Sequence, residues 1–224
     1  MTTATTSETI AILGGTGDLG TGLAIRWAKV GHKIVIGSRT LEKAADAVAK
    51  LKALSPTTDA VAMDNAQAAA AGNIVVLTVP AEHQLSTLDA LKDSLKGKIL
   101  IDVTVPLVPP KVGTVQLPPE GSAGKRAQNL LGDEVSVVTA FQNIAAHLLQ
   151  QDVEIECDVL VAGNKKAARE KVIELIQQAG MRGWHAGPIE NSAAAEALTS
   201  ILIQINRSGI LSHAGIKIVG QGDH

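Results

Sequence analysis

Residues 9–20 read TIAILGGTGDLG, and this stretch decides the fold. A short apolar segment comes first, as expected for a buried strand, and Gly15, Gly17 and Gly20 follow it in G-x-G-x-x-G spacing. A helical pattern comes next, and a second apolar strand is predicted over 33–37. The order of strand, glycine turn, helix and strand is the context in which this spacing indicates a dinucleotide-binding turn.

Each glycine in the turn has a predicted physical role. We expect Gly15 to permit the tight turn at positive φ, where a side chain would clash. Gly17 lets the backbone approach a pyrophosphate, and Gly20 lets the helix lie against the sheet. The amides that then face a phosphate at the helix N-terminus belong to Thr16, Gly17, Asp18 and Leu19. The alternative is a glycine-rich turn that binds nothing.

The end of the second strand predicts which dinucleotide binds. An NAD site usually has an acidic residue there, but this chain reads Gly-Ser-Arg-Thr over 37–40, and the first carboxylate is Glu42. Arg39 offers a planar fork of donors for a phosphate, Ser38 a hydroxyl and Lys43 a second positive charge. We therefore predict NADP as the cofactor, although either cation alone is also typical of an ordinary solvated surface.

The rest of the chain alternates strands and helices, as a parallel sheet requires. The predicted class is α/β, a doubly wound Rossmann-type parallel sheet with a small C-terminal helical element. Strands are predicted over 9–14, 33–37, 59–63, 73–79, 98–103, 135–140 and 155–162. Helices are predicted over 18–30, 40–54, 65–71, 81–95, 122–131, 165–179 and from Asn191 or Ser192 to Ser208. The predicted division is a disordered N-terminus (1–8), an NADP-binding domain (9–183) and a small C-terminal domain (184–224).

Composition narrows the possible partners. The 224 residues are 46% hydrophobic with a formal net charge of −2, so we expect neither nucleic acid nor a membrane as a partner. The single cysteine, Cys157, and the scattered histidines give no metal-binding spacing. Residues 1–8 do not have the pattern of a secretion signal, which favours a cytoplasmic location. The chain has no tyrosine, which excludes catalysis by a Tyr-Lys pair.

Several motifs beyond the glycine turn match one known family. The chain resembles NADPH-dependent reductases of coenzyme F420, the F420:NADP oxidoreductases. The resemblance extends over almost the whole chain, and its more specific parts are Ser38-Arg39, Thr78-Val79-Pro80 with Glu82-His83, and Ala186-Gly187-Pro188.

The resemblance implies hydride transfer between NADP(H) and the deazaflavin coenzyme F420, with the two small-molecule rings stacked. It places Ser38, Arg39 and Lys43 at the 2′-phosphate, and the residues from Thr16 to Leu19 at the pyrophosphate. It places Val79 and His83 near the nicotinamide and Ala146 in the same cleft. A homodimer is predicted from the family and from an apolar face of the C-terminal helix, formed by Leu198, Ile201, Leu202 and Ile205.

Other functions stay open at this point. The chain could be an NADPH-dependent reductase of a small carbonyl, an imine or a ferric substrate, or a non-catalytic NADP sensor. Reduction of a carbonyl or imine calls for a proton donor, and His83 is the only candidate; no catalytic residue is assigned with certainty. Local hydrogen bonding or a positioning role for His83 is the favoured alternative. The proline-rich segment 104–123 is predicted to be a lid or a mobile insertion.

Overall fold

The computed structural model describes residues 7–221. The predicted disorder of residues 1–8 concerns mainly residues 1–6, which lie outside the described part of the chain. Ser7 donates a hydrogen bond to the carbonyl oxygen of Gly31, and the Glu8 amide donates to Nδ1 of His32.

One eight-stranded sheet forms the centre of the molecule. Its strand order is β3-β2-β1-β4-β5-β6-β7-β8. The strands are β1 Thr9–Leu13, β2 Lys33–Ser38, β3 Ala60–Asp64, β4 Ile74–Leu77, β5 Ile99–Asp102, β6 Ser136–Thr139, β7 Asp158–Gly163 and β8 Arg182–Gly187. The first six follow the strand order of doubly wound dinucleotide-binding sheets, so the predicted fold class is confirmed.

Eight α-helices connect and cover the strands in the described part of the chain. They are α1 Asp18–Lys29, α2 Leu41–Leu54, α3 Asn65–Ala71, α4 Gln84–Leu95, α5 Ala123–Leu131, α6 Ala146–Leu149, α7 Lys166–Gln178 and α8 Ser192–Arg207. Single 3₁₀ turns, Ala81–His83 and Ile189–Asn191, precede α4 and α8. Central strands such as β4 are buried along their whole length, because helices pack on both faces of the sheet.

The two large aromatic side chains of the core pack against each other on one side of the sheet. Trp27 and Phe141 meet edge to face, with ring centroids 6.0 Å apart. The indole N–H of Trp27 donates to the carbonyl oxygen of Leu175, 2.9 Å away, so its polar atom is satisfied inside the core. This contact fixes α1 against α7 and thereby supports the glycine turn at the start of α1.

The structure differs from the sequence prediction beyond β6. β7 pairs antiparallel with β6, whereas the other pairs are parallel, because only the four-residue α6 interrupts the path from β6 to β7. Neither α6 nor β8 was predicted from the sequence. The predicted domain boundary between residues 183 and 184 falls inside β8, so the C-terminal segment contributes a strand to the main sheet. The division into two domains stays a prediction.

The proline-rich segment 104–123 has no regular secondary structure before α5 begins. It lies against α8, where the Thr114 carbonyl accepts a hydrogen bond from Ser200 and Gly113 approaches Gln204 closely. Its role as a lid stays a prediction. Within residues 7–221, no helix is long and apolar enough to cross a membrane.

Candidate functional site

The candidate site lies where the strand order reverses. β1 pairs with β2 on one side and with β4 on the other, so the connections after β1 and β4 leave in opposite directions. In open parallel sheets a crevice forms at the carboxyl ends of such strands, and ligands bind in it. The glycine turn follows β1, and the Ser-Arg-Thr segment begins with the last residue of β2, at this same edge of the sheet.

The tight turn after β1 is made by Gly14, not by the predicted Gly15. Gly14 has φ +73°, in the left-handed region that favours glycine, and Gly15 has no such backbone angle. Gly15 is required for a different reason, because a Cβ there would lie 2.8 Å from the carbonyl oxygen of Ile12. The sequence analysis predicted the positive φ at Gly15 and not at Gly14, because both residues are glycines and either one could adopt it.

The other two glycines of the motif have contrasting surroundings. A Cβ on Gly17, which caps α1, would meet nothing within 4 Å, so the space above this residue is open to a ligand. A Cβ on Gly20 would lie 2.7 Å from Cα of Gly15 and 3.0 Å from Oγ1 of Thr78. Gly20 therefore permits the close packing of α1 on the strand ends, and Gly17 leaves the helix N-terminus accessible to a phosphate.

A cleft of about 160 Å³ opens between these strand ends. Six of its lining residues belong to the predicted set: Thr16, Ser38, Arg39, Lys43, Val79 and His83. Six others were not predicted as site residues: Gly14, Thr40, Asn65, Thr78, Pro80 and Thr87. Thr78 and Pro80 flank the predicted Val79, so the motif that contains all three was an available signal. Asn65 is the first residue of α3 and Thr87 lies in the first turn of α4, and neither belongs to a distinctive local pattern.

The polar side of the cleft carries two cations without intramolecular partners. Among the described residues, neither Arg39 nor Lys43 takes part in an ion pair. Ser38 is buried, and its Oγ accepts a hydrogen bond from the Thr40 amide at 3.2 Å, so its hydroxyl hydrogen stays available to an anion. A hydroxyl donor and two uncompensated positive charges form a site suited to a phosphate dianion.

The segment after β4 also lines the cleft. Thr78 Oγ1 donates to the carbonyl oxygen of Leu13, which ties this segment to the end of β1. The 3₁₀ turn that follows places His83 in the cleft, with its amide bonded to the Pro80 carbonyl. Its imidazole Nε2 lies 3.7 Å from a carboxylate oxygen of Glu82, and the side chain is 40% exposed.

A buried polar network lies directly behind His83 and was not predicted. The amide nitrogen of Gln84 donates to a carboxylate oxygen of Asp102, at the end of β5. The amide oxygen of Gln84 accepts hydrogen bonds from Arg126, including one of 3.0 Å from Nε. Asp102 is fully buried, and this burial raises the pKa of its carboxyl group. The network joins α4, β5 and α5 and holds the His83 turn in place.

A second buried carboxyl group connects α8 to α5. Glu196 is 1% exposed, and its carboxylate accepts hydrogen bonds from the amides of Ala123 and Gly124 at 2.7 and 3.0 Å. Burial raises the pKa of Glu196 to about 7, against the opposing effect of those two amides. These contacts join residues more than 70 positions apart, so no local sequence pattern could have identified them.

Six predicted site residues do not line the cleft: Gly15, Gly17 and Gly20 of the turn, and Asp18, Leu19 and Ala146. Asp18 faces an adjoining recess on the other side of Thr16 and Lys43, and Leu19 packs against the hydrophobic core. The side chain of Leu19 therefore faces away from the crevice, and only its amide lies in the first turn of α1. Ala146 begins α6, and its carbonyl oxygen lies 3.4 Å from where a Cβ on Gly22 would be. Their predicted ligand contacts stay predictions.

The strand order, the glycine turn and the cleft at the switch point define a Rossmann-type dinucleotide-binding protein. The profile of a family described as "NADP oxidoreductase coenzyme F420-dependent" matches residues 9–106. The F420-dependent NADP reductase of Methanocaldococcus jannaschii is 43% identical over 218 residues, which cover 93% of this chain and 97% of the relative. This chain therefore belongs to the coenzyme F420-dependent NADP oxidoreductase family.

Two further comparisons agree with this placement. The F420-dependent NADP reductase of Methanothermobacter marburgensis is 38% identical over 218 residues, covering 93% of this chain and 97% of the relative. The crystal structure of a protein of Arthrobacter sp. FB24, provisionally assigned as an F420-dependent NADP reductase, superposes with a TM-score of 0.81. It is 27% identical and covers 96% of this chain and 100% of its own.

Proposed function

We propose that this protein transfers a hydride between NADP(H) and coenzyme F420. The observation that carries the proposal is the pair of unpartnered cations, Arg39 and Lys43, beside the glycine turn in a chain of this family. A 2′-phosphate distinguishes NADP from NAD, and these are the charges that would bind it. The family relationship supplies the second substrate.

The residues present fit NADP. The open space above Gly17, at the N-terminus of α1, would receive the pyrophosphate, which the amides from Thr16 to Leu19 would bind. Ser38, Arg39 and Lys43 would hold the 2′-phosphate. Val79 and His83 line the same cleft, and we propose that they lie near the nicotinamide and that Ala146 contacts it as well.

The cofactor rings supply the hydride chemistry, and the protein supplies binding and orientation. Transfer between two stacked heterocycles depends on positioning and on exclusion of water more than on an acid or a base. The position of His83 fits that requirement, because its backbone is fixed by Pro80 and by the Gln84 network behind it. We propose that His83 positions the ring and does not transfer a proton.

The deazaflavin assay tests this proposal. Mixing the protein with NADPH and oxidised coenzyme F420 should bleach the visible absorbance of the deazaflavin, and NADH should be a much poorer donor. Small carbonyl, imine and ferric substrates serve as alternative acceptors in the same assay. Turnover of one of these without turnover of coenzyme F420 would overturn the proposal. NADPH binding without turnover of any acceptor would instead indicate a sensor.

We also propose a homodimer in the cytoplasm. The apolar side chains of Ile201 and Ile205 on α8 are 47% and 38% exposed, and Val115 and Leu117 of the neighbouring proline-rich segment are 43% and 38% exposed. A second copy covering this surface would remove apolar area from water. Sedimentation of the wild type should give twice the mass of one chain, and Ile201→Lys should shift the measured mass toward that of a monomer. A monomeric wild-type protein would contradict the dimer.

A further inference from the structure

Two histidines that are distant in sequence meet on the surface beside α6. His147 is the second residue of α6, and His213 lies in the tail that follows α8. Their Nε2 atoms are 3.2 Å apart, and their ring centroids are 4.0 Å apart. Both residues are exposed, so solvent and dissolved ions reach both rings.

The backbone behind each ring is held in place. Nε of Arg26 donates to the carbonyl oxygen of Leu149 at 3.1 Å, which fixes the end of α6 to α1. On the other side, the amide of Ala214 donates to Oδ1 of Asn206 at 2.8 Å. His213 itself has φ 62°, a left-handed angle in which histidine is enriched among non-glycine residues. The backbone is therefore fixed on both sides, and the two exposed rings need to turn about their side-chain bonds to direct both Nε2 lone pairs at one ion.

The tail is fixed again just beyond His213. The amide of Asp158 donates to the Ile216 carbonyl at 2.8 Å, and the Ile218 amide donates to the Asp158 carboxylate at 2.7 Å. Gly215 packs so tightly on Cys157 that a Cβ would lie 2.7 Å from the sulfur. The tail thus has one defined path across the start of β7, and His213 lies on that path.

The separation of the two nitrogens matches the spacing of two ligands on one metal ion. Zinc–nitrogen bonds of about 2.0–2.1 Å in tetrahedral geometry place neighbouring nitrogens about 3.3 Å apart. We propose that His147 and His213 bind a divalent transition-metal ion, such as Zn²⁺, through their Nε2 atoms. The ion joins the C-terminal tail to α6. No group of three or more metal-binding side chains occurs among residues 7–221, so water completes the coordination.

The two imidazoles should bind transition-metal ions in preference to Mg²⁺. Neutral imidazole suits zinc, copper and nickel, whereas Mg²⁺ prefers oxygen ligands. Each imidazole must be neutral to bind the ion, because protonation removes the lone pair that coordinates the metal. This site lies on the tail and α6, outside the cleft that Arg39 and His83 line.

Titration calorimetry with ZnCl₂ on the full chain tests the site. We expect one Zn²⁺ per wild-type chain, at least tenfold weaker binding in His147→Gln and in His213→Gln, and no binding of Mg²⁺. The double variant should be no weaker than either single variant, because one remaining imidazole no longer chelates. His185→Gln removes another exposed histidine, on β8, and is the matched control that should keep wild-type affinity.

A second measurement separates loss of binding from loss of folding. Zn²⁺ should raise the thermal midpoint of the wild type and of His185→Gln, because an ion that binds only the folded chain stabilises it. It should leave the midpoints of the two site variants unchanged, although both variants should keep wild-type midpoints without metal. Equal Zn²⁺ affinity in the wild type and both site variants would overturn the proposal, as would no Zn²⁺ binding by the wild type.

Discussion

Removing the guanidinium of Arg39 should weaken the binding of NADPH much more than the binding of NADH. Arg39 has no intramolecular ion pair in the described chain, so its replacement by alanine leaves no other charge unpaired. A hydrogen bond to a charged group contributes about 1.5–3 kcal/mol, which corresponds to roughly a 10- to 150-fold change in affinity. Lys43 lines the same cleft and retains one positive charge. We therefore expect a 10- to 100-fold rise in KM for NADPH.

Steady-state kinetics with NADPH and with NADH, at fixed coenzyme F420, measure this effect. NADH lacks the 2′-phosphate, so Arg39→Ala should leave its KM nearly unchanged. Lys52→Ala removes an exposed cation on α2 outside the cleft and is the matched control. Equal losses with both nucleotides, or an equal loss in Lys52→Ala, would refute the assignment of Arg39 to the 2′-phosphate.

Three further changes probe other parts of the structure. Gly17→Ala should fold normally and weaken the binding of both NADPH and NADH, because its new methyl group enters the space proposed for the pyrophosphate. Gly20→Ala should instead lower the thermal midpoint, because its methyl group would clash with the backbone of Gly15. His83→Ala should lower kcat less than the roughly 100-fold typical of a lost general acid, with an unchanged pH profile. Because folding raises the pKa of Glu196 from 4.5 to about 7, the free energy of unfolding should fall by about 2 kcal/mol as the pH rises from 5 to 7. Glu196→Gln should reduce that slope, and the buried carboxyl group of Asp102, whose pKa is also raised, contributes in the same direction.

Each of these predictions has a clear contrary outcome. A Gly17→Ala variant with wild-type nucleotide affinity would mean that no phosphate approaches this residue. A pH-dependent fall in kcat of about 100-fold or more in His83→Ala would assign proton transfer to that imidazole. Urea unfolding between pH 5 and 7 with the same slope in the wild type and Glu196→Gln would show that another group titrates there.

The sequence predicted those elements whose local residue pattern matches their surroundings in the folded protein. Continuous apolar strands such as β4 are buried on both faces, and the glycine turn has a recognisable spacing. β8 was missed because RGWHAG has two glycines and one clearly apolar side chain, and the strand lies at an exposed sheet edge. α6 has four residues, fewer than any periodic pattern needs.

In the candidate site, too, the sequence predicted only those residues that a local pattern marks. Ser38, Arg39 and Lys43 are close in sequence, so their placement in one cleft followed from the end of β2. The network of Gln84, Asp102 and Arg126 joins three separate elements, and the direction of β7 depends on the path of the whole chain. Contacts of that kind arise from tertiary packing and have no local sequence signature.

The most direct test of the central claim follows the hydride itself. NADPH deuterated at the transferring position of the nicotinamide is mixed with the protein and oxidised coenzyme F420, and the reduced deazaflavin is analysed by mass spectrometry. The proposed reaction predicts one deuterium per reduced deazaflavin, from one of the two nicotinamide epimers only, with no loss to solvent. Reduced coenzyme F420 without deuterium from either epimer, or no reduction at all, would contradict it.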